Sequence, residues 1–166
     1  MSLATLVLEL TLTRLFSATM FYHFAFLAIS LALFGSGASG VVLYVARPRL
    51  DEARTPLLLG ACSALFAVTT IVALVVILSH PLSPAAPGLK TLGSLAWIYG
   101  AAALPFFFSG CVITLAITAW APEISRLYLF DLVGASAGCL LLIPAVDSLG
   151  AVDTVLLVAA LPPCGR

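Results

Sequence analysis

The strongest constraint on the fold is a series of apolar runs that are long enough to cross a lipid bilayer, which takes about 20 residues per helix. The sequence predicts an all-α polytopic transmembrane helix bundle, a single domain over residues 1–166 with five spanning helices and a short sixth segment. The last apolar stretch, residues 152–161, rises only about 15 Å as a helix, roughly half of a hydrocarbon core. The approximate predicted ranges are 2–17, 20–46, 56–79, 92–120 and 127–146, with a partial helix over 151–161.

The composition points to the same environment. Hydrophobic residues make up 63% of the chain and charged residues 8%, whereas soluble domains have roughly 45–50% apolar and about 25% charged residues. Seven basic and seven acidic residues give a formal net charge of zero, so no basic stripe is available to bind nucleic acid. The lipid bilayer is therefore the expected partner, and nucleic acid is not.

The distribution of arginine and lysine predicts an orientation, because cytoplasmic loops carry the excess of these residues. The loop at 47–54 holds three arginines and the link at 121–126 holds Arg126, while the proline-rich loop at 80–88 holds none and is followed by Lys90. The N-terminus and loop 47–54 are thus predicted to be cytoplasmic, in a bacterial inner membrane. No basic residue precedes Arg14, so the N-terminus is predicted to be a mature helix and not a cleaved signal peptide.

Two glycine-rich segments predict close helix packing. Gly35, Gly37 and Gly40 match the spelling G-x-G-x-x-G, but they lie inside an apolar run without the preceding strand that a dinucleotide site requires. Small residues let helix backbones approach in lipid, so packing is the better interpretation. Gly134 and Gly138 form a second such pattern, G-x-x-x-G, in the fifth helix.

Three ionisable residues form a candidate intramembrane polar cluster: Glu9, Arg14 and Asp131. Helical spacing puts Asp131 on the same face as Gly134 and Gly138, so the carboxylate is expected to point into a helix contact. Glu9 belongs to a polar stripe on the first helix, which is expected to face protein. Charges in hydrocarbon are costly, and two readings stay open: a pair or snorkelling arginine that fixes helix register, or a polar pocket for a proton or a small polar solute. The members of the stripe are Ser2, Thr5, Glu9, Thr13 and Ser17.

The remaining candidates are weaker. His23 lies beside Tyr22 near a predicted helix end, where an interfacial histidine is more common than a ligand for a bound group. His80 is far from it in the sequence, so the two histidines make no metal-site spacing. The four cysteines form no C-x-x-C pair and are read as small hydrophobes. Pro105 is expected to kink the fourth helix. The sequence assembles no catalytic group and identifies no cofactor.

Three stretches together resemble a known family. They are residues 8–30 (LELTLTRLFSATMFYHFAFLAIS), residues 104–110 (LPFFFSG) and residues 126–135 (RLYLFDLVGA). In this order they are similar to the membrane module of bacterial spermidine-synthase-like membrane proteins. The resemblance implies a following cytoplasmic domain with an S-adenosylmethionine-type Rossmann fold, similar to aminopropyltransferases. These 166 residues contain no such domain, so no catalytic residue is carried over.

These observations favour a non-catalytic integral membrane module, acting as a structural or accessory subunit or an anchor in a larger membrane assembly. Other membrane subunits or further copies of the chain are the expected partners, with the glycine-rich seams as contact surfaces. Two alternatives remain: the membrane half of a spermidine-synthase-like enzyme whose catalytic domain is missing, and a small-solute carrier that uses Glu9, Arg14 and Asp131.

Overall fold

The chain folds into six α-helices, as seen in a computed structural model that describes residues 1–19, 25–46, 55–79 and 89–161. A 3₁₀ turn over Ala121–Glu123 precedes the fifth helix. No strand occurs in these ranges, which confirms the predicted all-α class. The helices are α1 Ser2–Thr19, α2 Ala25–Ala46, α3 Thr55–Ser79, α4 Leu89–Ala119, α5 Ile124–Leu149 and α6 Ala151–Ala160.

Four segments of the described chain are long and apolar enough to cross a membrane: Phe26–Ala46, Thr55–Ser79, Gly93–Ala119 and Ala121–Leu149. They correspond to the second to fifth predicted spans. The remaining predicted crossing, by residues 2–17, stays a prediction, since α1 is not among these segments. The sixth helix has ten residues, as the short last run predicts. Helix α5 extends beyond its predicted range at both ends because polar residues there continue the helix, a common boundary difference.

Neighbouring contacts fix the direction of the helices. Thr5 meets Ser109, and Phe16 packs edge-on against Tyr99 with ring centroids 6.5 Å apart, so α1 and α4 are antiparallel. Asp131 of α5 contacts Ser2, and Gly138, about two turns further along α5, approaches Leu3 and Val7, so α1 and α5 run parallel. The starts of α1 and α5 therefore lie at the same end of the bundle as the end of α4. We call this the N-terminal end.

Helix α1 is the most enclosed element, with contacts to α2, α4, α5 and α6. Its side chains supply a large part of the core, including Leu8, Leu12 and Phe16, which are at most 2% exposed. The outer helices present large apolar side chains to the surroundings, as expected where lipid is the solvent. Helix α6 packs between α1 and α3, and it follows α5 through Gly150, whose φ of 85° is a conformation that favours glycine.

The contact between α3 and α4 can be tested with the chain's own cysteines. The thiols of Cys62 and Cys111 lie within hydrogen-bonding contact across these two helices, and both are free. With Cys139 and Cys164 changed to serine, oxidation by copper(II) phenanthroline should remove two protons and two electrons and join Cys62 to Cys111. Intact-mass measurement under denaturing conditions reports the loss of two hydrogen atoms within the monomer.

The matched control keeps Cys62 and Cys139 and replaces the other two cysteines. Cys139 is exposed on α5, and it should give no intramolecular bond under the same conditions. Equal yields for the two pairs would contradict the packing of α3 on α4.

Candidate functional site

Polar side chains link three helices near the N-terminal end. The Ser2 hydroxyl of α1 donates a hydrogen bond to Oδ1 of Asp131 on α5. One turn further along α1, the Thr5 hydroxyl bonds the hydroxyl of Ser109 on α4. Ser109 is only 1% exposed, and a buried hydroxyl needs such a partner, since an unpaired polar group costs about 1–3 kcal/mol. These contacts tie α5 to α1 and α1 to α4.

The adjoining contact between α2 and α4 depends on small residues. A Cβ atom added to Gly110 would lie against the Ser39 hydroxyl and 2.8 Å from the Cα of Ser36. Ser39 is fully buried, and its hydroxyl donates to the Ser36 carbonyl over 2.6 Å. Only a residue without a side chain fits here. We call the connected set Ser2, Thr5, Ser36, Ser39, Ser109, Gly110 and Asp131 the polar seam.

Asp131 has a favourable electrostatic position within the seam. Its carboxylate contacts Ser2, the first residue of α1, and backbone N–H groups at a helix start have no partner within the helix. The aligned peptide dipoles also favour negative charge at that end. Asp131 is half-buried and forms no ion pair with a described residue. The ion pair seen among the described residues joins Arg126 to Glu123 over 3.9 Å.

A cleft of about 580 Å³ opens beside the polar seam. Its walls come from the first turn of α1, the last turns of α4 and the first turns of α5, and they are mainly apolar. Ser2 and Asp131 from the seam line it, together with Tyr128. The volume is within the range of about 300–1,000 Å³ that is typical of ligand pockets. The arrangement provides an apolar cavity with one carboxylate at its edge.

The three members of the predicted polar cluster are not joined in the structure. Glu9 is half-buried on α1, and its backbone carbonyl accepts a bond of 2.8 Å from the Thr13 hydroxyl. Arg14 is exposed and makes no ion pair with a described residue. Asp131 instead pairs with Ser2, about 10 Å along the helix axis from Glu9. Their interaction as one site is not seen among the described residues.

The predicted packing glycines divide into two groups. An added Cβ at Gly35 would lie 2.8 Å from the Ala103 carbonyl oxygen, and one at Gly138 would lie 3.1 Å from the Leu3 carbonyl oxygen, so both are contact positions. Gly134 is looser, with Leu3 at 3.7 Å. Gly37 and Gly40 have open space within 4 Å. Neither is therefore a close contact position among the described residues, although Gly40 is half-buried and Gly37 is exposed.

The contacts of Ser109 with α1 and of Gly110 with α2 were not predicted from the sequence. The available signal was the pair of small residues after three phenylalanines, residues 106–108, since small residues mark helix contacts in membranes. His23, His80 and loop 47–54 lie outside the described residues. Within the described part of the chain, no group of three or more His, Cys, Asp or Glu side chains could hold a metal ion.

The fold and the apolar helices together define a helical membrane protein. No protein-family model, no curated protein and no solved structure matches the chain. The resemblance to spermidine-synthase-like membrane modules therefore stays a prediction that rests on the three sequence stretches alone.

Proposed function

We propose that this chain is a non-catalytic membrane module that serves as an accessory subunit or anchor in a larger membrane assembly. The observation that carries the proposal is the exposure of α5. Among the four candidate spans, its span has the smallest buried share, 11%. Only the face with Gly138 and Leu142 is buried against the bundle, which leaves most of a long apolar helix available to a partner.

The outward face of α5 has the spacing of a helix-packing surface. We call this set the outer stripe: Leu129, Val133, Ser136, Leu140 and Ile143. All five residues are exposed, and steps of four, three, four and three residues place them on one side of the helix, as in left-handed helix pairs. Ser136 puts a small residue at the centre, where a neighbouring backbone can approach. The hydroxyl of Ser136 bonds the Leu132 carbonyl over 2.7 Å, so it adds no unpaired polar group.

The polar groups of the interior support the same assignment. Ser2, Thr5 and Ser109 are engaged in contacts between helices, and the contact glycines Gly35 and Gly110 face neighbouring backbones of the same chain. These residues hold the bundle together. Association with a partner then falls to the outer surfaces, and the outer stripe is the most regular of these.

We place the N-terminal end of the bundle on the cytoplasmic side of a bacterial inner membrane. Gly35 approaches Ala103, and Gly110 approaches Ser39, so α2 runs parallel to α4 and also ends at this end. The arginine-rich residues 47–54 follow α2 in the sequence, and Arg126 lies in the first turn of α5. The excess of arginine over the opposite loops supports this orientation through the positive-inside rule.

Copurification from native membranes tests the proposed function. The full chain, tagged and extracted in mild detergent, is expected to be recovered with one or more other chains or as an oligomer, with every accompanying chain identified by mass spectrometry. Recovery as a single, monodisperse chain from membranes that contain it at its natural level would contradict the proposal. A variant with Leu140→Ala and Ile143→Ala should lose the accompanying chains, whereas Val41→Ala with Val45→Ala on α2 should keep them.

A further inference from the structure

We propose that the cleft at the N-terminal end binds a membrane lipid with a primary ammonium head group, the ammonium lying at Asp131 and the hydrocarbon against the walls of α4 and α5. This inference goes beyond the role of the chain as a subunit or anchor. It depends on the cavity, the position of one carboxylate and the chemistry of the walls.

The cleft is open to the bilayer. Ile117 of α4 and Ile124 and Tyr128 of α5 line it, and all three are more than 40% exposed on the outer surface of the bundle. A ligand therefore enters laterally from the hydrocarbon. The inner wall is apolar, with Val112, Ile113 and Ala116 of α4 among its residues. Such a surface takes up a hydrocarbon chain from a bilayer, whereas a small hydrophilic solute would leave it uncovered.

The carboxylate selects the head group. Asp131 uses Oδ1 to accept the Ser2 hydrogen bond, and no described residue bonds its second oxygen. Carboxylates at membrane depth are paired, hydrogen-bonded or face a cavity, and this one faces the cleft. The N-terminal residue Met1 also lines the cleft, but its terminus forms no ion pair with Asp131. A cationic ligand group is therefore the complementary partner.

A primary ammonium fits better than a quaternary one. It donates up to three hydrogen bonds, and charge-assisted bonds to a carboxylate are roughly twice as strong as neutral ones. A quaternary ammonium has no hydrogen to donate, and an anionic head group would be repelled by Asp131. The expected order of retention is phosphatidylethanolamine, then phosphatidylcholine, then phosphatidylglycerol.

Native mass spectrometry of the full chain in detergent, titrated with each of these three lipids, tests the inference. Wild type should retain phosphatidylethanolamine about tenfold better than phosphatidylglycerol, a difference of about 1.4 kcal/mol. Asp131→Asn should abolish this preference, and Asp147→Asn, an exposed carboxylate on the same helix outside the cleft, should keep it. Equal retention of the three lipids by wild type, or an unchanged preference in Asp131→Asn, would overturn the proposal.

A second variant separates lost binding from lost folding. Ala116→Phe fills the cleft from α4 and leaves Asp131 in place, so a chain with wild-type helicity and a monodisperse profile should lose phosphatidylethanolamine. Retention of the lipid by this folded variant would place the lipid elsewhere and overturn the assignment. Free ethanolamine, the head group without its chains, should not displace the lipid at equal concentration. Displacement would show that the site takes a soluble amine and would contradict a lipid ligand.

Discussion

Replacement of Gly110 by valine is expected to cause the largest loss of stability of any single substitution in the polar seam. The added Cβ alone would lie 2.8 Å from the Cα of Ser36 and 3.1 Å from its carbonyl oxygen, and backbone atoms cannot rotate away as a flexible side chain would. Helices α2 and α4 must then separate, which also breaks the fit around buried Ser39. Overpacking typically costs about 1–3 kcal/mol and sometimes more, and we expect about 3 kcal/mol.

The measurement is the free energy of unfolding in mixed detergent micelles, with Gly100→Val as the matched control. Gly100 is on the same helix, and an added Cβ there meets open space within 4 Å. Because valine favours the helix slightly more than glycine does, the control should be neutral or slightly stabilising. Similar losses for the two variants would contradict the close approach of α2 and α4 at Gly110.

The second large effect is expected for Phe16→Ala on α1. Phe16 is fully buried and packs edge-on against Tyr99 of α4, with the ring planes at 89°. Truncation leaves a cavity in the core and removes the aromatic pair, and buried phenylalanine-to-alanine changes cost about 3–5 kcal/mol. The same unfolding measurement with Phe26→Ala, a side chain that is 68% exposed, should give less than about 1 kcal/mol, as for surface substitutions. Equal effects would place α1 outside the core.

The difference between Phe16 and Phe26 shows what the sequence could and could not predict. Uninterrupted apolar runs define the helices, because each must satisfy its own backbone in lipid. The runs do not tell which helix lies at the centre. The sign available for α1 was its content of polar residues such as Thr5 and Thr11, since polar side chains in membrane bundles face protein. Thr11, which is not in the predicted polar stripe, is fully buried, whereas the stripe residues Ser2, Thr5, Glu9 and Thr13 are half-buried and Ser17 is exposed.

The candidate site was predictable only in part, for a similar reason. Helical periodicity places Asp131, Gly134 and Gly138 on one face, and the structure has that face against α1. However, periodicity only assigns residues to the faces of a single helix. It does not predict which residue of a second helix lies opposite a given position. The pairing of Asp131 with Ser2 and of Gly110 with Ser36 follows from the relative depth of separate helices. Whether Asp131 of α5 lies beside Glu9 and Arg14 of α1 also depends on the relative depth of the two helices, so helical periodicity could not predict it.

Site-directed photo-crosslinking in intact native membranes tests most directly the central claim that this chain works by association through α5. A benzophenone amino acid replaces Leu140 of the outer stripe, and in a separate variant it replaces Leu33 of α2. The two leucines are similarly exposed, at 76% and 69%. The proposed function predicts a discrete protein adduct from position 140 and lipid adducts alone from position 33. Lipid adducts alone from both positions would contradict it.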